Sequence, residues 1–191
     1  TTTPMETLTD AVRMAFEDAA PDRVIASWGH ASGINISGID PKTGEQYVTM
    51  ILASIISGAG ATQQMDGWHA CGPLCCFGAL SSGDIELLEY QYPILIHKYG
   101  LAEDSGGAGE YRGGCGTVWE VEPLGHEMTV VAFGEGREHP TMGAAGAEQI
   151  SPELKLGRLE IIHQDGVTDL YKQNTVTEIQ PGDRARNTNP G

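Results

Sequence analysis

A glycine-rich stretch at residues 104–117 contains the residue types of this chain that best suit ligand binding. It reads Asp-Ser-Gly-Gly-Ala-Gly-Glu-Tyr-Arg-Gly-Gly-Cys-Gly-Thr, so six of its fourteen residues are glycine. Because glycine has no Cβ, a ligand or another backbone can approach such a loop closely. The stretch lacks the Lys-Ser/Thr ending of a nucleotide-binding P-loop and does not match the dinucleotide spacing G-x-G-x-x-G. Two interpretations stay open: a compact turn where chain segments cross, or a loop whose N–H groups bind an anion.

Two residues of opposite charge, Asp104 and Arg112, belong to this stretch. An arginine offers a rigid fork of donors to a carboxylate, so we favour a structural ion pair that pins the turn. In the functional alternative, the Arg112 guanidinium binds an anion beside the backbone of the loop. The predicted roles are therefore anion or substrate binding for Arg112, Gly107 and Gly109, and a structural role for Asp104, Gly113 and Gly114.

A second group of chemically competent side chains lies at Trp68, His69, Cys71, Cys75 and Cys76. Zinc sites usually use two spaced pairs of ligands, whereas the order here is His-x-Cys-x₃-Cys-Cys with no second pair. We therefore predict no metal site and expect the cysteines to pack as small apolar side chains. His69 is the candidate catalytic residue, because a neutral imidazole can take a proton from a substrate carbon. An ordinary hydrogen-bonded histidine is the alternative.

The composition excludes several classes of partner. The 191 residues carry a formal net charge of -15 and have a pI near 4.6, so the field of the chain repels nucleic acid and anionic membranes. No apolar run approaches the roughly 18 residues of a spanning helix. Four cysteines are too few for a disulfide scaffold in a chain of this length. These features predict a cytoplasmic, reduced protein that binds neither nucleic acid nor membrane.

The elements that must position these residues are mostly strands. Leu8, Val12 and Phe16 recur every four residues between Pro4 and Pro21, which predicts an N-terminal helix with one apolar face. Residues 84–92 suit either a helix or a strand. We expect 118–121 to pair with 128–133, and the length favours a single domain over 1–191. The fold class is α+β, mainly antiparallel β-sheet with an N-terminal helix and glycine-rich loops, with strands predicted at 23–28, 33–39, 45–54, 93–99, 118–121, 128–133, 159–163, 169–171 and 175–179.

The segment 57–147 resembles the B-type subunits of the hydantoinase/oxoprolinase family, which includes the acetone and acetophenone carboxylases. The block from Asp104 to Gly116 carries the resemblance, because it is close to the family's Asp-Ser-Gly-Gly-x-Gly-x-x-Arg-Gly-Gly pattern. Further pieces that resemble the family lie in order around this block: Gly58-Ala-Gly-Ala, Asp66-Gly67, Asp84-Ile85-Glu86, Pro181-Gly182-Asp183 and Asn189-Pro190-Gly191.

The resemblance implies that the chain corresponds to the C-terminal part of a longer B-type subunit. The family's Asn-Asp-Pro motif and its metal-linked histidines would then belong to an N-terminal part that this chain does not include. That part is accordingly an expected partner. The same resemblance implies an A-type subunit that binds ATP, further subunits of the complex and a small-molecule substrate. ATP and a divalent metal are implied for the complex, and none is expected to be held by this chain alone.

The form Gly83-Asp84-Ile85-Glu86 is more similar to the ketone carboxylases of the family. On this branch, the resemblance implies ATP-dependent joining of bicarbonate-derived CO₂ to an activated enol, with Arg112 on bicarbonate or a phosphorylated intermediate. The alternative within the family is an ATP-dependent cyclic-amide hydrolase of the N-methylhydantoinase or 5-oxoprolinase type. A second alternative is a non-catalytic structural subunit of such a complex.

Overall fold

The structure, a computed structural model, describes residues 4–76, 78–147 and 156–191. Helix α1 spans Pro4–Ala15, helix α2 spans Ile85–Gln91, and short 3₁₀ turns occupy Pro21–Arg23, Leu52–Ile55 and Leu74–Cys76. The strands are β1 (Ser32–Ile39), β2 (Gln46–Met50), β3 (Ile94–Leu101), β4 (Thr117–Pro123), β5 (Met128–Gly134), β6 (Arg158–Ile162), β7 (Thr168–Tyr171), β8 (Thr175–Ile179) and β9 (Arg184–Thr188).

The strands form two sheets in which neighbouring strands run antiparallel. One sheet has the order β2-β1-β5-β8 and the other has the order β3-β4-β9-β6-β7. Side chains alternate between the faces of a strand, and burial in β5 follows this period, with Met128, Val130 and Ala132 buried. The predicted α+β class with mainly antiparallel strands and an N-terminal helix is confirmed.

The core lies where the two sheets pack against each other. Ile34 and Val130 of the first sheet belong to the same buried cluster as Trp119, Leu159 and Ile161 of the second. Each of these side chains is at most 1% exposed. Burial of aliphatic and aromatic side chains is the main favourable contribution to folding, so this shared cluster is what holds the sheets together.

The predicted pairing of 118–121 with 128–133 is wrong. These segments are β4 and β5, and they belong to different sheets: β4 pairs with β3 and β9, whereas β5 pairs with β1 and β8. The connection between them turns at Gly125, whose φ of +75 suits glycine. It therefore crosses from one sheet to the other instead of closing a hairpin.

The predicted strand at 23–28 is absent. Its backbone bonds to two different irregular segments, because the N–H of Ala26 donates to the carbonyl of Ala61 at 2.8 Å and the N–H of Ser27 donates to that of Met142 at 2.9 Å. Neither partner is a strand, so no ladder forms. The segment instead joins two loops that later form one cavity.

Other segments differ from prediction in extent. The second predicted strand, 45–54, ends at Met50 and continues as a 3₁₀ turn in which the Ser54 hydroxyl donates to the carbonyl of Ile51 at 2.6 Å. The ambiguous segment 84–92 is helix α2, which begins where the Asp84 carboxylate accepts from the N–H of Leu87 at 3.0 Å. Strand β9 is missing from the sequence-based set.

Helix α1 packs with polar side chains inward. Glu6 and Asp10 are buried, whereas Leu8 and Val12 of the predicted apolar face are 60% and 51% exposed. Among the described residues no helix combines the length and the apolar character needed to span a bilayer.

A candidate ligand cavity between two glycine-rich loops

A cavity of about 500 Å³ opens between the glycine-rich stretch and the loop that follows β5. Gly107 and Gly109 of the glycine-rich stretch line it, as do Thr141 and Met142 of the later loop, and we call these two segments its two walls. The segments around Ala26 and Ala59–Gln63 also contribute, and the rest of the lining is Ala108, Glu110, Tyr111, Gly113, residues 143–147, Val24, Ser27 and Gly191.

The glycine-rich stretch crosses the segment 58–68 at backbone distance. A Cβ placed on Gly114 would lie 2.0 Å from the carbonyl oxygen of Trp68, and a Cβ on Gly58 would lie 2.0 Å from that of Gly114. The N–H of Gly114 donates to the carbonyl of Ala59 at 2.8 Å. The N–H of Gly113 donates to that of Gly107 at 2.9 Å, which closes the loop on itself. The first interpretation of the sequence, a compact crossing, is therefore what the structure shows. The loop also lines a cavity, and anion binding by its N–H groups stays a prediction.

Hydrogen bonds from the last residues of the sequence hold the segments around this crossing together. The side-chain amide of Asn189, which is fully buried, donates to the carbonyl of Ile56 at 3.0 Å and also to that of Ser54. The hydroxyl of Thr141, on the far wall, donates to the carbonyl of Gly191 at 3.2 Å. The residues that follow strand β9, an element missing from the predicted strands, therefore make these contacts.

The expected ion pair between Asp104 and Arg112 does not form within the described residues. Both residues are exposed. Arg112 is held by its backbone, since its N–H donates to the Asp66 carboxylate at 2.8 Å and its carbonyl accepts from Gly67 at 2.7 Å. Asp104 has a φ of +54, in a left-handed region that aspartate tolerates better than most residues. Backbone hydrogen bonds have replaced the predicted ion pair.

His69 lies apart from the cavity, on an exposed loop. Its Nδ1 accepts a hydrogen bond from the N–H of Cys115 at 2.8 Å. A neutral ring in this bond carries its proton on Nε2. Since the Nδ1 lone pair accepts the hydrogen bond and Nε2 is protonated, neither nitrogen can act as a base. His69 therefore offers a donor in this conformation, and a catalytic role for it stays a prediction.

The cysteines give no sign of a metal centre. Cys71 and Cys115 are free thiols, and Cys76 is exposed. Cys71 is buried, and burial raises the pKa of its thiol, which makes it a poor nucleophile at neutral pH. Across 4–76, 78–147 and 156–191, no three His, Cys, Asp or Glu residues come close enough to hold an ion. These residues do not fit the metal implied for the complex.

The cavity suits a largely uncharged ligand. Its side-chain lining is mostly Ala, Thr and Met, and its one charged side chain among the described residues is the Glu110 carboxylate. The N–H groups of Gly107 and Gly109 are not used in hydrogen bonds to other described residues. Such groups bind carbonyl or oxyanion oxygens, while Glu110 opposes a fully charged anion. A small ring with one polar edge matches these walls.

Sequence reasoning identified one wall of this cavity and missed the other. The run Met142-Gly-Ala-Ala-Gly146 is visible in the sequence as a second glycine cluster. In the structure, this loop has a left-handed backbone at Ala145 and Gly146, with φ of +51 and +76. The N–H of Ala145 donates to the Glu17 carboxylate at 2.9 Å, which joins this loop to the turn after helix α1.

The profile of the hydantoinase B/oxoprolinase family matches residues 1–191, the whole of this sequence. The chain belongs to that family. The caprolactamase subunit beta of Pseudomonas jessenii is 69% identical over 192 residues, which cover 100% of this chain and 33% of that subunit. The family expected from the glycine-rich block is thus confirmed.

Structural comparison gives the same result. The crystal structure of the ATP-dependent caprolactamase from Pseudomonas jessenii superposes with a TM-score of 0.87 at 60% identity, covering 100% of this chain and 33% of that one. The acetophenone carboxylase delta subunit of Aromatoleum aromaticum is 35% identical over 98 residues, which cover 49% of this chain and 14% of that subunit. The chain therefore spans about a third of the length of the caprolactamase subunit it matches.

Proposed function

We propose that this chain is part of the B-type subunit of an ATP-dependent cyclic-amide hydrolase that opens a lactam ring. The observation that carries the proposal is the 69% identity to a caprolactamase subunit along the whole chain. The match to a carboxylase subunit covers only 49% of the chain, at 35% identity. Ketone carboxylation, the leading prediction from the Gly-Asp-Ile-Glu segment, is accordingly the less supported of the two activities.

The cavity between the glycine-rich loops supports a neutral substrate. A lactam has an uncharged ring and one amide edge, whereas bicarbonate is an anion that the Glu110 carboxylate would repel. The small residues Ala59, Ala61 and Ala108 leave room for the methylene groups of such a ring. The free N–H groups of Gly107 and Gly109 suit its carbonyl oxygen. In this role the glycines bind substrate, as predicted, while Arg112 lies outside the lining.

The proposed activity needs partners. An A-type subunit would bind ATP, and the rest of a B-type subunit would complete the site, since this chain matches a third of its relative. The metal implied for the complex would be held there. A cytoplasmic location stays a prediction from the cysteine content.

Reconstitution tests the activity. The chain is combined with the remaining subunit parts, and ATP hydrolysis is measured with caprolactam or with acetophenone plus bicarbonate. We expect lactam-dependent ATP turnover with an amino acid as the ring-opened product. Carboxylation of the ketone without lactam turnover would refute the proposal. Loss of lactam turnover when only this chain's cavity is altered, with the complex still assembled, would support the proposal further. Full activity without this chain would refute it.

A cavity-filling variant tests the site. Ala108→Leu adds bulk to the lining, and we expect the KM for the lactam to rise about ten-fold, the effect of losing roughly 1.4 kcal/mol of binding. Ala79→Leu is the matched control, because Ala79 is exposed and outside the lining. Equal KM values in the two variants would show that the substrate binds elsewhere.

A further inference from the structure

Helix α1 turns its apolar side toward solvent. Met5, Leu8 and Val12, together with Phe16 in the turn after the helix, are between 47% and 61% exposed. They lie three or four residues apart, so they follow one another along one side of the helix, which we call the outer face of α1. A surface helix normally packs its apolar side against the core. The reversed orientation therefore needs an explanation.

Hydrogen bonds on the opposite side hold the helix in this orientation. Glu6 and Asp10 are 2% and 8% exposed. The Glu6 carboxylate accepts from the N–H of Leu74 at 3.0 Å, and the Asp10 carboxylate bonds to Nε2 of His30 at 2.9 Å. A rotation that buried the outer face would break both contacts and leave buried groups without partners. The chain's own contacts therefore fix the apolar side outward.

A continuous apolar row of this kind is typical of a binding surface. Single exposed apolar side chains are common on proteins, whereas a row of four large ones that no polar side chain interrupts marks a contact with a partner. A second copy of this chain is a poor occupant, because each copy carries a formal net charge of -15 and two copies repel each other. The occupant is therefore a different polypeptide segment.

The family comparison supplies a segment of sufficient size. The chain covers only 33% of the caprolactamase subunit to which it is 69% identical, so most of that subunit lies outside the matched part. The motifs of this sequence correspond to the C-terminal part of a B-type subunit. With that position, the rest of the subunit comes before helix α1 in sequence and reaches the structure beside Met5.

Helix α1 also borders the cavities of this chain. Glu17, in the turn after the helix, accepts from the N–H of Ala145, which lines the cavity between the glycine-rich loops. Thr7 of the helix lines a second cavity, of about 260 Å³, together with His30 and Arg137. A segment seated on the outer face of α1 therefore lies close to the site that the rest of the subunit is proposed to complete.

We propose that the outer face of α1 is the surface on which the rest of the B-type subunit docks, through an apolar contact centred on Leu8 and Val12. Burying these side chains against apolar groups of the partner stabilises the contact through the hydrophobic effect. The inference rests on the part of the proposed function that assigns the chain to a B-type subunit. It does not depend on which substrate the complex uses.

Photochemical cross-linking identifies the occupant. The assembly is purified with Phe16 replaced by photoreactive p-benzoylphenylalanine, which keeps the phenyl ring, and is then irradiated and digested. Mass spectrometry identifies the peptides joined to position 16. We expect peptides from the rest of the B-type subunit. Peptides only from a second copy of this chain or from the ATP-binding subunit, or no cross-link in an intact assembly, would overturn the proposal.

Two matched variants test whether the contact is apolar. Val12 and Val167 are 51% and 54% exposed, and Val167 lies between β6 and β7, away from the helix. Val12→Glu should lower the cross-linking yield at least about ten-fold, because a charge placed in an apolar contact loses its hydration. Val167→Glu should leave the yield unchanged. A Val12→Glu chain that no longer joins the assembly counts as the same loss, whereas equal yields in the two variants would contradict the proposal.

Lactam-dependent ATP turnover, measured on the same assembly, separates this inference from the proposed activity. Cross-links to the rest of the subunit in an assembly without turnover would refute the activity and support the docking surface. Turnover without those cross-links would support the activity and refute the docking surface.

Discussion

The cavity between the glycine-rich loops and the cavity beside Arg137 are built in opposite ways. The first is walled by backbone and small side chains and contains one carboxylate, Glu110. The second is lined by Arg137, a buried cation that makes no ion pair within the described residues, and otherwise by polar and glycine residues. One site is thus shaped mainly by the absence of Cβ atoms on its glycines, and the other contains a buried positive charge.

The difference teaches how each kind of site tolerates change. A wall of touching backbones has no side chain that can yield, so adding a single carbon forces the chain to move. A cavity with a buried charge responds instead to electrostatic changes. The predictions below use this contrast, first on the backbone crossing and then on the charged groups.

Gly114→Ala should have the largest effect. The new Cβ would lie 2.0 Å from the carbonyl oxygen of Trp68 and 3.0 Å from the nitrogen of Ala59, and neither backbone atom can rotate away. We expect a loss of about 3 kcal/mol or more in the free energy of unfolding, measured by urea denaturation.

Gly100→Ala is the control for this prediction. Gly100 lies in β3, and a Cβ there meets nothing within 4 Å, so stability should stay the same or rise by up to about 1 kcal/mol. If both substitutions change the free energy of unfolding by the same amount, the close backbone contacts at Gly114 are not what makes this position sensitive.

Asn189→Ala should have the next largest effect, because Asn189 hydrogen-bonds to the segment that leads into the crossing. Its amide is fully buried and donates to the carbonyls of Ser54 and Ile56. Removing it loses two buried hydrogen bonds, at a cost of about 2 kcal/mol, although the carbonyl of Ser54 still accepts from Asn187 and that of Ile56 from Thr117. Thermal and urea unfolding should both report the loss, whereas the exposed Asn174→Ala should change stability by less than about 0.5 kcal/mol.

Asp10→Asn tests the buried carboxylate of helix α1 through the pH dependence of the free energy of unfolding. Burial raises the pKa of Asp10, but the hydrogen bonds from His30 and Ser27 and the charge of Arg13 outweigh it, so the pKa lies below its ordinary value. A depressed carboxyl pKa stabilises the fold above the unfolded-state value, near 3.9, and this contribution is lost as the pH falls through the folded-state pKa.

The wild type should therefore be more stable than Asp10→Asn at neutral pH, and the difference should shrink as the pH is lowered below about 3.9. Free energies of unfolding measured from pH 7 to pH 2 provide the profile. Asp18→Asn, at an exposed position in the turn after helix α1, should show the same pH dependence of stability as the wild type. If the difference in the free energy of unfolding between wild type and Asp10→Asn does not change with pH, the lowered pKa of Asp10 is wrong.

Arg112→Gln should have the smallest effect on stability. Only the backbone of Arg112 is held, by Asp66 and Gly67, and its exposed side chain makes no ion pair within the described residues. A change below about 0.5 kcal/mol is expected in urea unfolding. A larger loss would mean that this arginine, like the buried one, carries structural charge.

Much of the local structure was predictable from sequence. The turn at Asp40–Gly44 and the β1–β2 hairpin follow from turn residues between alternating runs, and so does the β6–β7 hairpin across Asp165-Gly166. Helix α1 was predicted from its period, but the side that packs inward carries Glu6 and Asp10. Periodicity identifies a helix, whereas the surroundings decide which face it buries.

The sequence by itself determined the family, the fold class and the glycine-rich wall, because these depend on ordered motifs, on residue period and on the absence of Cβ atoms. Only the tertiary structure decided which strands share a sheet, that Asp104 and Arg112 stay apart, and that the second wall comes from 141–147. It also decided that Arg137 is buried and makes no ion pair within the described residues. The physical reason is that pairing, burial and charge balance depend on segments distant in the chain, which no local pattern records.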